Sequence, residues 1–538
     1  MNSGLTLTVE LESGEVRELA MPASGEDLAA LLAAHGLPLN TRCGSRGLCR
    51  GCEVELRRGT LDLGTRIALA PAVVKACQAR LRGAAQIRLP ARSQLGHRPQ
   101  WVDCFVISTP YSVDPLFPPQ PGGRDTGFAV DVGTTTVAVL LVDLASGRVL
   151  SRSGGFNAQV RFGDNVVTRL DAARTIEGRR ALQRALVDET LKPLLEQACR
   201  AADRPASRLA GGTIAGNTLM LHLLAGEDPA GLATVPFKPQ FLEARRWTAG
   251  QIGLELEELN REIPLQFLPG IAAYVGSDIA AGVYACGLSL DRGPGLLIDL
   301  GTNGEMVLHR GNELLGCATA AGPAFEGCGL ASGAAAVEGA VTSLRLSLHP
   351  FHLDAGRMGS GPAVGICGSA YLDFLATGRR SGLLRENGRF DPGAWESIPP
   401  QHRLMDEGVR AVRLQGGMRI TERDVAALLQ AKAAIGAGIL TLLDKAGIAA
   451  PGLDRVYLAG GFGRHLDVRH ALEIGLLPGI RREQVQVVGN TALAGALLAL
   501  VDRASIPEMR GLAAKVKVLE LDAGSGFENR FFDQLRLP

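Results

Sequence analysis

The sequence predicts a multidomain α/β protein: a small strand-rich N-terminal domain, a proline-rich linker and a large two-lobed body. Three observations lead there. Four cysteines in an uneven spacing fall within the first 77 residues, seven prolines crowd between Pro90 and Pro121, and one strand–turn–strand motif occurs twice in the remainder of the chain. These features set boundaries at 1–89, 90–125 and 126–538. Within the body, a middle part (126–205) carries the first copy of the motif, and a C-terminal part (206–538) carries the second.

The N-terminal domain is read from its alternation and its thiols. Leu5 to Val9 and Val16 to Leu19 alternate as the two strands of a hairpin do, and Asp27 to Ala34 has the spacing of a short amphipathic helix. The cysteines follow as Cys43-x5-Cys49-x2-Cys52-x24-Cys77. A tight trio among Gly44, Gly47 and Gly51, with a distant fourth thiol, suits a [2Fe–2S] cluster. Such a cluster takes four thiolates and a backbone able to bring N–H groups near the sulfides. Zinc sites usually pair C-x2-C with a second pair or with histidine, whereas Cys77 stands alone in Ala76-Cys77-Gln78. The first gap is one residue longer than in plant-type ferredoxins, and in this the segment resembles vertebrate-type and hydroxylase-associated ones. Its order of strand, strand, helix and cluster loop resembles a ferredoxin β-grasp domain. Cys43, Cys49, Cys52 and Cys77 are the expected ligands of one [2Fe–2S] cluster, and electron transfer is the expected chemistry.

Composition narrows the rest. With 56 basic and 55 acidic residues the formal charge is +1, and no basic block points to nucleic acid or to an anionic membrane. No uninterrupted apolar run approaches the roughly 18–20 residues of a membrane span. Met1-Asn2-Ser3-Gly4 does not open a secretory signal, so a cytoplasmic location is expected and a structural disulfide is disfavoured. The 68 glycines suit an α/β protein with many tight turns. In the linker, Pro90, Pro99, Pro110, Pro115, Pro118, Pro119 and Pro121 favour an extended, semi-rigid connector over a packed element. Trp101 to Ile107 could add a strand or dock on a neighbour. A tether that swings the N-terminal domain and a passive spacer fit these residues equally well.

The body opens with Phe128-Ala129-Val130-Asp131-Val132-Gly133-Thr134-Thr135-Thr136, running on to Val142, which reads as strand, tight turn, strand. The pattern returns in Ile298-Asp299-Leu300-Gly301-Thr302-Asn303-Gly304-Glu305-Met306. Each copy ends a buried strand on a carboxylate and follows it with a Gly-Thr turn. Such a hairpin can aim N–H and hydroxyl groups at phosphate while the carboxylate orders Mg²⁺ and its waters. Two copies suggest two lobes facing one nucleotide; the other reading of Asp131 and Asp299 is as loop-capping carboxylates.

These motifs resemble the first and second phosphate loops of the acetate and sugar kinase, heat-shock chaperone and actin superfamily. Val456-Tyr457-Leu458-Ala459-Gly460-Gly461-Phe462-Gly463 is similar to its adenosine loop, and a helix carrying Val425, Leu428, Leu429, Ile435, Ile439, Leu442 and Leu443 feeds that strand. The resemblance implies a two-lobed actin-like ATPase body, a duplicated ribonuclease H-like fold, that binds ATP with Mg²⁺. It puts Asp131 and Asp299 in the catalytic role. Nucleotide contacts then fall to Gly133, Thr134, Thr135, Gly301, Thr302, Asn303, Glu305, Gly460 and Gly461. Joined to a ferredoxin-like domain by a proline-rich linker, such a body resembles the reductive activators of corrinoid proteins. Arg161 to Val166, Gly216-Asn217-Thr218 and Ala321 to Gly327 carry the likeness further along the chain.

That resemblance implies an ATP-dependent return of Co(II) corrinoid to Co(I) in a methyltransferase system. It implies a corrinoid protein as partner, an upstream low-potential electron donor, and a homodimer. Two other readings stand beside it: an ATP-dependent activator of a 2-hydroxyacyl-CoA dehydratase-like enzyme, and a cluster-regulated small-molecule kinase. Ser332, in the small-residue stretch after Glu326, is a candidate corrinoid-facing residue, and a close-packed or flexible loop is its other reading. Cys317, Cys328 and Cys367 are expected to be core residues, with Cys104, Cys199 and Cys286 blander still. His465 could touch a nucleotide or a corrinoid, or be an ordinary histidine.

Overall fold

The structure, a computed structural model, describes every residue except 1–5, 12–13, 21–24, 38, 40–51, 91–92, 95–103, 164, 335, 361–362, 462–465 and 522. The expected hairpin and helix form in the N-terminal domain: strands Thr6–Leu11 and Val16–Ala20, then helix Leu28–Ala34, whose first turn is capped by the Asp27 carboxylate on Ala30 N–H at 3.0 Å. Five strands make a mixed sheet in the order Val16–Ala20, Thr6–Leu11, Ala85–Leu89, Glu53–Arg58, Ala72–Lys75. The parallel pairing of the first and last strands of the domain places them side by side at its centre. Leu7, Val9, Leu28, Leu32, Val54 and Ile87 fill one separate core beneath it.

The body is built from two six-stranded sheets of matching topology. In each, an antiparallel three-stranded meander is extended from its first strand by two parallel strands; Arg245–Thr248 adds an antiparallel edge to the first sheet, and Val516–Val518 a parallel edge beyond the last meander strand of the second. The first sheet runs Val149–Phe156, Thr136–Asp143, Thr126–Val132, Leu209–Gly216, Pro264–Phe267, Arg245–Thr248. The second runs Val485–Gly489, Arg455–Ala459, Gly295–Leu300, Gly304–Arg310, Glu313–Thr319, Val516–Val518. This is the duplicated architecture the repeated motif predicts. The expected division at 205/206 falls inside the first sheet, because Leu209–Gly216 pairs in parallel with Thr126–Val132.

Three large cores, beside a small cluster around Ala340 and Cys367, hold the described body. One lies outside the first sheet, one outside the second, and a third lies between the sheets. The third draws Ala129 and Leu140 from the first sheet, Leu297 and Tyr457 from the second, and the helices Ser277–Ala285 and Thr491–Val501. The long helix Glu422–Ala446 is capped by a reciprocal Thr421–Asp424 box and ended by Gly447 in the left-handed region. It alone, among the described residues, is long and apolar enough to cross a membrane, but 78% of its apolar window is buried inside the second lobe. The sequence shows no uninterrupted apolar run there because charged residues break it.

The linker departs from the extended connector that its prolines suggest. From Cys104 onward it lies on the body: Val106 N–H donates to Val488 O at 3.0 Å, Ser108 N–H to Ala285 O at 2.9 Å, and Leu116 N–H to Leu500 O at 2.9 Å. Phe117 is buried in the core between the sheets, against Gly211, where any β-carbon would strike its ring. Proline density predicts missing N–H donors, yet the residues between the prolines keep theirs and spend them on the body.

Candidate nucleotide cleft and thiol site

Asp131 and Asp299 hold equivalent positions at the ends of the central strands of the two sheets. Asp131 lies between Ala138 and Ala215, and Asp299 between Glu305 and Ala459. Each Gly-Thr turn closes tightly behind its carboxylate: Gly133 N–H donates to Thr136 O and Gly301 N–H to Asn303 O, both at 3.0 Å. The two turns meet. Thr135 Oγ1 and Thr302 Oγ1 are 2.9 Å apart, Thr135 Oγ1 donates to Glu326 Oε2 at 2.6 Å, and Thr302 Oγ1 lies 3.2 Å from both Glu326 oxygens. Residues 167 positions apart in sequence thus share one carboxylate.

The first turn is held from behind by Arg169, whose side chain is wholly buried. Its guanidinium donates to Thr134 O at 2.5 Å, to Gly163 O at 3.0 Å and to Gln159 Oε1 at 3.2 Å. A buried cation bound to loop carbonyls fixes the turn more firmly than the turn's own residues could. On the opposite side, Gly460 takes φ +100°, and a β-carbon there would stand 2.7 Å from Asp299 Oδ1 and collide with Leu300 O. Glycine lets this backbone lie against the carboxylate. Gly461 has open space where a β-carbon would point.

Five carboxylates converge: Asp131, Asp278, Asp299, Glu305 and Glu326. Burial pushes Asp131 up to about 6, with the Asn490 amide, donating at 2.8 Å, pulling the other way. Burial and then the Asp131 charge raise Asp278 to about 7. Burial, followed by Asp278, Asp131 and Glu326, raises Asp299 to about 8. Burial, with Asp278 and Asp299, also holds Glu305 well above the usual carboxylate range. So many acidic oxygens in one desolvated cleft suit a hard divalent cation. Among the described residues no three His, Cys, Asp or Glu side chains close on one point as a direct ligand set.

Two of the four expected cluster thiols are described. Cys52 immediately precedes the strand Glu53–Arg58, and Cys77 follows its antiparallel partner Ala72–Lys75, with Glu53 opposite Lys75. Ala76 N–H donates to Cys52 O at 3.0 Å, and both side chains are buried in the same core. The fold therefore brings the third and fourth thiols of the motif to one end of a strand pair. Cys43 and Cys49 lie outside the described residues, as does His465.

Other candidates find ordinary surroundings. Ser332 is buried and its Oγ accepts the Arg419 N–H at 2.9 Å. The small residues around it pack on themselves: a β-carbon at Gly327 would meet Ala334 N at 2.8 Å and one at Gly333 would strike Gly327 O. Cys317, Cys328 and Cys367 are buried, as are Cys199 and Cys286, whereas Cys104 is exposed. Asp278, Asn490 and Arg169 are not among the residues expected from the sequence. Asn490 has a signal, a Gly-Asn-Thr cap ahead of an apolar run. Arg169 and Asp278 have none, since only the fold brings them to the cleft.

Comparison with known proteins places this geometry. The family description "RACo middle region" matches residues 126–291, and "C-terminal domain of RACo the ASKHA domain" matches 294–538. A solved structure of a reductive activator for corrinoid, iron-sulfur protein aligns over 99% of this chain and 98% of its own, with TM-score 0.72 and 28% identity. This chain belongs to the RACo family. RACo-type matches thus meet between 291 and 294, where the first sheet has ended and the second begins. The chain is 32% identical over 396 residues to the corrinoid activation enzyme RamQ of Eubacterium limosum, covering 70% of this chain and spanning 64% of that protein's length. It is 26% identical over 441 residues, 76% of each chain, to the [Co(II) methylated amine-specific corrinoid protein] reductase of Methanosarcina barkeri.

Proposed function

We propose that this RACo-family protein is an ATP-dependent reductive activator of a corrinoid protein, delivering one electron that returns Co(II) to Co(I) in a methyltransferase system. The observation that carries it is the union in one chain of a four-thiol ferredoxin-type motif with a cleft where Thr135 and Thr302 from equivalent loops meet over Glu326. The names of the corrinoid activation enzyme and the corrinoid protein reductase among its relatives support the reading. In this proposal residues 1–89 form the redox domain, 90–125 the linker and 126–538 the ATPase body.

Cys43, Cys49, Cys52 and Cys77 would hold one [2Fe–2S] cluster, which supplies one electron at a time and is refilled by an upstream low-potential donor. Asp131 and Asp299, with Asp278, Glu305 and Glu326, would hold Mg²⁺ through its waters. Thr134, Thr135, Thr302 and Asn303 would offer N–H, amide and hydroxyl groups to phosphate, Gly133 and Gly301 would let the turns approach it closely, and Gly460 and Gly461 would back the nucleoside. Reduction to Co(I) is poorly driven, and for one electron each ~59 mV changes the equilibrium tenfold. Nucleotide helps only by favouring a state that binds the Co(II) partner and not the Co(I) product. Closure of the lobes on Mg-ATP, drawing the two threonine turns onto phosphate, is the input this geometry offers.

The assay is anaerobic: reduced protein and Mg-ATP are mixed with a Co(II) corrinoid protein, and the cobalt is followed by its visible spectrum. Co(I) should form with ATP and only slowly or incompletely without it. Failure of every corrinoid protein to respond would leave a ferredoxin-linked ATPase and return the dehydratase activator and the kinase to consideration.

A further inference from the structure

The linker reaches the nucleotide cleft through one short stretch of chain, Gly489-Asn490, and the contacts there are more specific than a spacer requires. Asn490 N–H donates to Cys104 O at 3.2 Å, Phe105 forms an isolated bridge with Gly489, and Val106 N–H donates to Val488 O at 3.0 Å. Gly489 takes φ +75°, and a β-carbon on it would strike the Cys104 carbonyl and approach Phe105 Cα to 3.3 Å. Only glycine lets the linker lie this close. The same two residues face the cleft. Gly489 O accepts Gly460 N–H at 3.1 Å, and Asn490 Nδ2 donates to Asp131 Oδ2 at 2.8 Å.

The linker also grips the far end of the helix that Asn490 begins. Asn490 Oδ1 caps Leu493 N–H at 2.8 Å at the start of helix Thr491–Val501. At its other end the carbonyls of Leu500 and Val501, which have no partner within the helix, accept Leu116 N–H at 2.9 Å and Asp114 N–H at 2.8 Å. Arg503 N–H returns a bond to Asp114 O at 2.8 Å. Every residue of this helix is buried between the lobes, so the helix and the linker segment from Cys104 to Leu116 shift together or not at all.

We propose that Gly489-Asn490 is a coupling node, with Asn490 a positioning residue for Asp131, through which the seating of linker residues 104–116 and the binding of Mg-nucleotide strengthen each other. The proposal rests on the nucleotide reading of the cleft. Coupling of this kind is reciprocal: what nucleotide does to the linker, the linker does to nucleotide affinity by the same factor. It gives the N-terminal domain, carried on this linker, a mechanical route by which its placement answers to the cleft.

The test uses the full-length protein, with nucleotide affinity from calorimetry and amide exchange from mass spectrometry. Mg-ATP should slow exchange several-fold at Val106 and Ser108, linker residues that are not among the proposed nucleotide contacts. Gly489→Ala should weaken Mg-ATP about tenfold and erase that nucleotide-dependent protection. Val106→Pro, a change in the linker alone that removes one N–H donor at an outward-facing residue, should do the same more mildly if Gly489→Ala does not fold. Binding heat in the wild type with exchange at 104–108 unmoved by nucleotide would overturn the coupling and leave the nucleotide reading intact. Absence of binding heat would overturn both. Wild-type affinity in a folded Val106→Pro protein would also count against the node.

Discussion

At the scale of single residues, the cleft depends on atoms that cannot be exchanged for near neighbours. Gly460→Ala would place a methyl group 2.7 Å from Asp299 Oδ1 on a backbone at φ +100°, so this variant should lose roughly tenfold or more in Mg-ATP affinity by calorimetry, in line with about 1–3 kcal/mol of local strain. Asp131→Ala and Asp299→Ala should each impair Mg-ATP binding or turnover while leaving the visible spectrum of the N-terminal domain unchanged, because the two sites have separate cores. Unaltered affinity and hydrolysis in both would make these carboxylates structural. Cys52→Ser and Cys77→Ser should each bleach that spectrum, since an iron would lose a soft thiolate. Purified protein should carry about two iron and two sulfide per chain, the content of a [2Fe–2S] cluster; four of each, or stoichiometric zinc, would sink the cluster assignment.

At the scale of elements, two contacts bind helices of the second lobe. His470, on helix Val468–Glu473, shares a 2.6 Å hydrogen bond with Asp373 of helix Gly368–Arg380, and Asp373 also accepts Leu344 N–H at 3.0 Å. The bond to Asp373 raises the His470 pKa, with Asp467 and Glu473 adding to it. A raised histidine stabilises the fold fully below its ordinary value of about 6.5, and that stability is lost as pH rises through the folded-state value. Chemical denaturation should therefore find His470→Gln less stable than wild type by about 1.5–3 kcal/mol near pH 5.5, with the gap shrinking at alkaline pH. A gap that widened with pH would refute the assignment. Lys432, buried in helix Glu422–Ala446, donates to Gln534 O at 2.7 Å and Arg536 O at 2.6 Å. It thus holds the end of helix Phe527–Gln534, although burial lowers its pKa to about 8. Lys432→Met would leave both carbonyls short of a donor and should cost about 1–3 kcal/mol in a urea melt.

At the scale of the whole molecule, the thiol motif and the cleft sit on separately cored parts of one chain, and the linker is seated on the second of them. Removing residues 1–89 should therefore abolish corrinoid reduction while Mg-ATP binding survives, as calorimetry would report. Loss of nucleotide binding in a folded truncation would mean that the N-terminal domain completes the cleft. The duplication of the sheet explains how two distant loops come to face each other. Asp131 and Asp299 stand near the ends of corresponding strands, and a core shared by both sheets holds the loops that follow them so that Thr135 meets Thr302.

Those parts of the molecule whose signals are local could be read from the residues alone. The hairpin and helix before the four-cysteine motif, the two Asp–Gly–Thr turns and the helix that carries Val425 to Leu443 were legible because alternation and helical spacing act within a few residues. Gly460 was legible as part of a loop, but the reason for it, a backbone pressed against Asp299, belongs to the other strand. The rest was settled by chain packing at long range. Arg169 and Asp278 are ordinary residues of their own helices, and Asn490 reads only as a helix cap, until the fold carries them to the cleft. That Leu209–Gly216 returns in parallel to the sheet that Thr126–Val132 began, across the division expected near 205, is a pairing with no local mark. The linker's grip on the body rests on N–H groups that composition does not reveal, because which carbonyl a donor finds is settled by packing across the whole chain and not by the residues beside it.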